Sequence, residues 1–91
     1  MVIDQSGWFS EVLAEKGCAF SLRTRAKLHE EQTPYQRIEI YATETFGNLM
    51  VIDGAIMLSA RENFFYHEMM SHPALFTHAA PRRVCIVGGG D

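Results

Sequence analysis

The stretch Val51-Ile52-Asp53-Gly54-Ala55-Ile56 decides how this chain is read. An Asp-Gly pair between two apolar runs is the strongest short-range signal for a β-hairpin, because both central residues of the tight turn adopt positive φ. On its amino side the arm Leu49 to Ile52 follows a second turn at Phe46-Gly47-Asn48. Two earlier runs alternate with period two. Residues 20–28 put Phe20, Leu22, Thr24, Ala26 and Leu28 on one face, with Ser21, Arg23, Arg25 and Lys27 on the other. That is the pattern of a half-buried strand with a solvated basic face. Residues 35–42 repeat it with Ile38, Ile40 and Ala42 inward, and residues 31–34 supply the turn. Residues 19–58 therefore predict an antiparallel β-unit of about four strands. In front of it, residues 11–16 are expected to form a short helix ended by Gly17, with Trp8 and Phe9 packed on the core.

Beyond the hairpin, Ser59-Ala60-Arg61-Glu62 has the spacing of a capping box before an apolar run. Residues 63–72 predict a helix whose Phe65, Tyr66, Met69 and Met70 are core, broken or kinked at Pro73. Pro81-Arg82-Arg83 reads as a linker. Val84-Cys85-Ile86-Val87 is a short unbroken apolar run, as in a strand buried on both faces, and Gly88-Gly89-Gly90-Asp91 follows it. Such a strand needs a crossover helix and neighbouring strands. The expectation is a fragment whose larger domain lies beyond Asp91.

Composition bounds the function. With 47% apolar and 21% charged residues, the chain has globular rather than disordered composition. A net charge of -3 disfavours a nucleic-acid partner, since a phosphate backbone selects basic faces. Cys18 and Cys85 lack metal-ligand spacing and are expected to be reduced thiols. No basic segment leads into an apolar run at the N-terminus, and the apolar runs fall short of the roughly 20 residues that span a bilayer. These features predict a cytoplasmic protein with no membrane partner.

The residues that could carry chemistry leave alternatives open. Glycines after a buried strand let a nucleotide approach the backbone, and Asp91 there can accept a hydrogen bond from a hydroxyl or an amine; an ordinary glycine turn fits as well. Gln36 shares the parity of Ile38 and Ile40, so its amide either finds partners on the apolar face or meets water at an edge. His67 and His72 are five apart, where a helical metal pair needs four, so no metal site is expected. Tyr66 and His67 are either polar tips at a cleft or packed helix residues.

Read together, Gly7-Trp8-Phe9-Ser10-Glu11, Tyr35-Gln36, Phe46-Gly47-Asn48, Ile52-Asp53-Gly54, Tyr66-His67-Glu68-Met69, His72-Pro73 and residues 84–91 resemble the spermidine synthase family of polyamine aminopropyltransferases. The resemblance covers essentially the whole chain and keeps the gaps between motifs. It implies a mainly β fragment: a small antiparallel β N-terminal domain (residues 1–60) that oligomerises and covers part of the active site, a connecting helix and linker (61–80), and the first strand and glycine turn of a truncated Rossmann-like methyltransferase domain (81–91). The implied reaction moves an aminopropyl group from decarboxylated S-adenosylmethionine to putrescine, giving spermidine and 5'-methylthioadenosine. No metal or other cofactor is implied, the donor being a co-substrate, and the implied assembly is a homodimer or homotetramer.

By that resemblance Asp91 holds the donor's aminopropyl amine, Gln36 and His67 bind the donor or the polyamine, and Tyr66 lines the same pocket. The general-base aspartate lies downstream, so this chain holds no catalytic residue and is expected to be inactive alone. The chain departs from the family pattern at Met57, where a glutamine is common. It departs again at Ala60 and Asn63, both acidic in the family. These changes bear on the choice of acceptor. A divergent non-catalytic paralogue, an oligomerisation module and an amine methyltransferase using S-adenosylmethionine are the alternative readings.

Overall fold

The computed structural model describes residues 7–89. Five strands form one antiparallel sheet in chain order: β1 (Trp8–Leu13), β2 (Cys18–Gln32), β3 (Arg37–Thr43), β4 (Asn48–Ile52) and β5 (Ala55–Ser59). A helix, α1 (Asn63–Thr77), follows. The hairpin expected at Asp53-Gly54 is present, with φ of 50° and 80° at its two central residues. Aspartate tolerates this left-handed conformation because its short side chain can hydrogen-bond locally. Here it reaches across the sheet instead: Asp53 Oδ1 accepts the Arg37 N–H at 2.8 Å. The Asp53 N–H in turn donates to the Arg37 carbonyl at 2.9 Å.

The front of the chain differs from its sequence expectation. Residues 11–13 belong to β1 and pair with Phe20, Ala19 and Cys18. The helical part is a single 3-10 turn, Ala14–Lys16, ended by Gly17 at φ 66°. A six-residue helix is too short to stand alone, whereas the ladder to β2 satisfies the same backbone groups. Strands β2 to β5 are the four expected over residues 19–58, and β1 adds a fifth in front of them.

Strand β2 spans 15 residues, with register shifts at Thr24/Ala26 and Lys27/His29. Each shift is a bulge that places two β2 residues opposite one of β3. Strict alternation consequently ends at Thr24. Thr24 pairs with Thr43, Lys27 with Tyr41 and Glu30 with Glu39, so these β2 residues share one face. That face also carries Leu49 and Val51, both 0% exposed, through the pairs Tyr41–Leu49 and Glu39–Val51. The inward parity of β3 is thus the reverse of the expected one. Glu39 and Thr43 are buried, while Ile38, Ile40 and Ala42 lie half-buried on the opposite face. Lys27 stays exposed, but the bulge sets it on the face of Tyr41 and Glu39 rather than with Ser21 and Arg23. Phe9 packs on Tyr41 with ring centroids 5.3 Å apart, and Trp8, on the other face, lies under Arg23.

The turn before β3 is shifted to residues 33–36. Ser59 is the last residue of β5, and Glu62 rather than Ser59 is the N-cap of α1, with no side-chain capping bond. Ser59 Oγ accepts only the Glu62 N–H, at 3.3 Å. The capping-box spacing thus closes a strand-to-helix turn. Pro73 does not end α1, which continues to Thr77. A proline there removes one intrahelical bond, and the next turn is held by Thr77 Oγ1 donating to the Pro73 carbonyl at 2.5 Å.

Tyr66 is 54% exposed and Met69 69%, and Phe65 and Met70 are exposed too, so these residues are not core. Helix α1 meets the sheet chiefly at β5, and no other element among the described residues covers its remaining faces. Val84, Ile86 and Val87 are likewise exposed, and residues 84–87 pair with no strand among those described. The radius of gyration is 16.4 Å, where a compact domain of this length has about 12 Å. No helix is long and apolar enough to cross a membrane among the described residues.

Candidate functional site

Where α1 leaves the sheet, a cavity of about 250 Å³ opens between the inner face and the helix. Its floor is apolar, built from Leu22, Leu49 and Ile56, and Phe46 of the β3–β4 turn closes one end. Gly47 permits that closure. It sits at φ 73°, and a Cβ there would stand 2.9 Å from the Cβ of Ala60. The turn is held by Thr43, whose Oγ1 donates to the Gly47 carbonyl at 2.6 Å and accepts the Phe46 N–H at 2.9 Å. Met57 lines the cavity because β5 has its register shift there, opposite Met50/Val51. Glu62, Asn63 and Tyr66 complete the mainly apolar lining, and the Glu62 carboxylate stands 3.5 Å from Arg61 Nε. An apolar floor with a carboxylate and a phenol suits an aliphatic segment ending in a polar or cationic group.

A second feature of the inner face is a network of charges. Lys27 Nζ lies 2.9 Å from both Glu39 Oε2 and Glu30 Oε2. Tyr41 donates to Glu39 Oε2 at 2.5 Å, and the Lys27 ammonium lies 5.6 Å from the Tyr41 ring centroid. Arg37 pairs with Glu30 and stands 3.7 Å from Glu39. Burial opposes ionisation of Glu39, but the hydrogen bonds from Lys27 and Tyr41 outweigh it and hold the carboxyl below its usual range. The hydrogen bonds to Glu39 and Glu30 push the Lys27 ammonium up. Every charge in this network is answered by another, so it braces β2 against β3.

The expected site residues that the structure describes fall in two places. Tyr66 and His67 lie side by side near the start of α1, with ring centroids 6.0 Å apart and planes at 65°. Tyr66 lines the cavity; His67 is exposed, and its carbonyl accepts from Ser71 Oγ at 2.7 Å. Gln36 immediately precedes β3, is half-buried, and lies outside the cavity lining. Asp91 lies outside the described residues. Sequence reasoning missed the Lys27–Glu39 network, because Glu39 between Ile38 and Ile40 reads as a solvent-facing residue. Met57 stood out only through the resemblance, since the bulge that brings it to the cavity has no signal in period-two patterning. No cluster of three His, Cys, Asp or Glu among the described residues could hold a metal ion, and Cys18 and Cys85 are free and exposed.

Comparison with known proteins gives a consistent picture. Residues 7–60 match the family model described as the spermidine synthase tetramerisation domain, and residues 63–91 match that of the spermine/spermidine synthase domain. A polyamine aminopropyltransferase from Nitrosococcus oceani is 70% identical over 91 residues, all of this chain and 32% of the relative. One from Methylococcus capsulatus is 65% identical over 88 residues, 97% of this chain and 31% of the relative. Among solved structures, spermidine synthase from Thermotoga maritima superposes with a TM-score of 0.86 at 30% identity, covering 96% of this chain and 30% of that one. A spermidine synthase in complex with the transition-state analogue AdoDATO gives a TM-score of 0.76 at 26% identity, covering 84% of this chain and 26% of that one. The chain thus spans about a third of the length of the curated relatives it matches.

Proposed function

The chain belongs to the spermidine synthase family, and from that membership we propose that the protein carrying it transfers an aminopropyl group from decarboxylated S-adenosylmethionine to putrescine. The products are spermidine and 5'-methylthioadenosine. The observation that carries this reading is the 70% identity to a polyamine aminopropyltransferase over all 91 residues. The cavity adds support, because its apolar floor, with Glu62 and Tyr66 in the lining, matches the chemistry of an aliphatic amine.

In this reading Gln36, Tyr66, His67 and Asp91 bind the donor or the amine. The sulfonium of the donor already activates its methylene carbon, so the protein's task is to hold a neutral amine nitrogen in line with it. The amine must first lose a proton to a base, which lies outside this chain, and the nitrogen then displaces the thioether. No metal or further cofactor takes part. The β-unit assembles copies into a homodimer or homotetramer. The half-buried apolar face carrying Ile38, Ile40, Met50 and Ile52 supports this, since permanent interfaces are apolar at their centres.

A binding titration of the full-length protein tests the donor. Decarboxylated S-adenosylmethionine is expected to bind at least tenfold more tightly than the carboxylated form. A preference for intact S-adenosylmethionine would favour an amine methyltransferase instead.

A further inference from the structure

Every backbone polar group around Gln36 is held from outside its own strand ladder. Its N–H donates to Thr33 Oγ1 at 2.9 Å. Its carbonyl accepts from the Thr33 N–H and from Thr33 Oγ1, both at 2.9 Å. The other end of the same peptide unit, the Arg37 N–H, donates to Asp53 Oδ1 at 2.8 Å. The Asp53 N–H closes the ring on the Arg37 carbonyl at 2.9 Å. Both peptide planes flanking the Gln36 Cα are therefore fixed, and with them the direction of its Cα–Cβ bond. The clamp comes from two turns, the 33–36 turn that Gln36 itself ends and the β4–β5 hairpin, which is remote from it in sequence.

We propose that Asp53 and Thr33 are positioning residues that aim the Gln36 amide at the substrate. This rests on the reading of Gln36 as a substrate-binding residue. Asp53 thereby has two roles: it takes the left-handed conformation the hairpin needs, and its carboxylate ties that hairpin to the Gln36–Arg37 peptide. The hairpin role alone would be met as well by glycine, and the hydrogen bond alone by asparagine, so the two roles separate by substitution.

The test is steady-state kinetics on the full-length protein. Gln36→Ala identifies which substrate's KM depends on the amide. Asp53→Gly, which keeps the turn, and Thr33→Val, which leaves the hairpin untouched, are expected to raise that same KM about tenfold with kcat changed less than twofold. Asp53→Asn and Thr33→Ser restore it. In the Gln36→Ala background Asp53→Gly adds less than twofold, because nothing remains to aim. If Gln36→Ala raises a KM while Asp53→Gly and Thr33→Val do not, the positioning role is overturned and the assignment of Gln36 stands. Additive losses in the double variant overturn it equally. If Gln36→Ala leaves both KM values unchanged, the assignment and the positioning role fall together.

Discussion

Lys27 on β2 and Glu39 on β3 form a 2.9 Å ion pair on the inner face of the sheet, beside the bulges that bring Lys27 there. Glu39 is only 7% exposed and shares one oxygen between Lys27 and the Tyr41 hydroxyl. Replacing Glu39 by glutamine keeps the volume but gives both partners a weaker acceptor. The expected loss is about 1–2 kcal/mol of stability, measured by denaturant unfolding of the full-length protein. Combining Glu39→Gln with Lys27→Met should cost less than the sum of the two, since the residues are in contact.

The same network sets a pH window. The Glu39 carboxyl is pushed up by burial but held below its usual range by Lys27 and Tyr41, so its contribution is lost as pH falls through that lowered value. Glu30 moves the same way, chiefly through its hydrogen bond from Lys27. The Lys27 ammonium is raised by its bonds to Glu39 and Glu30, and the Tyr41 phenol by burial and then by Glu39. Their contributions are full below the ordinary values of roughly 10 and disappear as pH rises through the raised ones. The difference in unfolding midpoint between the natural protein and Glu39→Gln should be constant from about pH 6 to 9 and shrink below about pH 4. A difference that persists undiminished at pH 3 contradicts the assignment.

Two glycines at similar φ should respond differently to alanine. At Gly47, φ 73°, a Cβ would meet the Ala60 Cβ at 2.9 Å, while at Gly54, φ 80°, nothing lies within 4 Å. Gly54→Ala carries the backbone strain alone, about 1 kcal/mol, and Gly47→Ala adds a steric clash, for about 2–3 kcal/mol in all. Thermal unfolding of the two variants ranks them; equal losses would mean that the β3–β4 turn does not pack on residue 60 as described.

Met57 reaches the cavity through the bulge of β5. A thioether is a weak acceptor, whereas a glutamine amide offers a carbonyl to an ammonium group. Met57→Gln is expected to shift the ratio of kcat/KM for putrescine over longer amines at least threefold towards putrescine, read in competition assays.

The hairpin at Asp53-Gly54, the turn at Phe46–Asn48 and the helix after Glu62 were legible because each rests on local chemistry: positive φ, a glycine contact, a 3.6-residue period. The burial of Glu39 was not. It depends on the bulges near Arg25 and Leu28 that re-phase β2, and neither residue is a glycine that would mark a bulge in the sequence. Residues 11–13 pair as strand because of contacts with residues 18–20, a cross-strand effect invisible in their own sequence. For the site, Tyr66 and His67 stood out through the resemblance, and the structure sets their rings side by side. Gln36 was singled out for its parity with Ile38 and Ile40, yet what distinguishes it is the clamp from Thr33 and Asp53, which no periodicity encodes.

The most direct test of the central claim is release of 5'-methylthioadenosine by the full-length protein from decarboxylated S-adenosylmethionine and putrescine, with His67→Ala alongside. The account predicts turnover in the natural protein and a loss of at least a hundredfold in kcat/KM for the variant. A folded protein that turns over no amine contradicts it and would leave the β-unit as an assembly module alone.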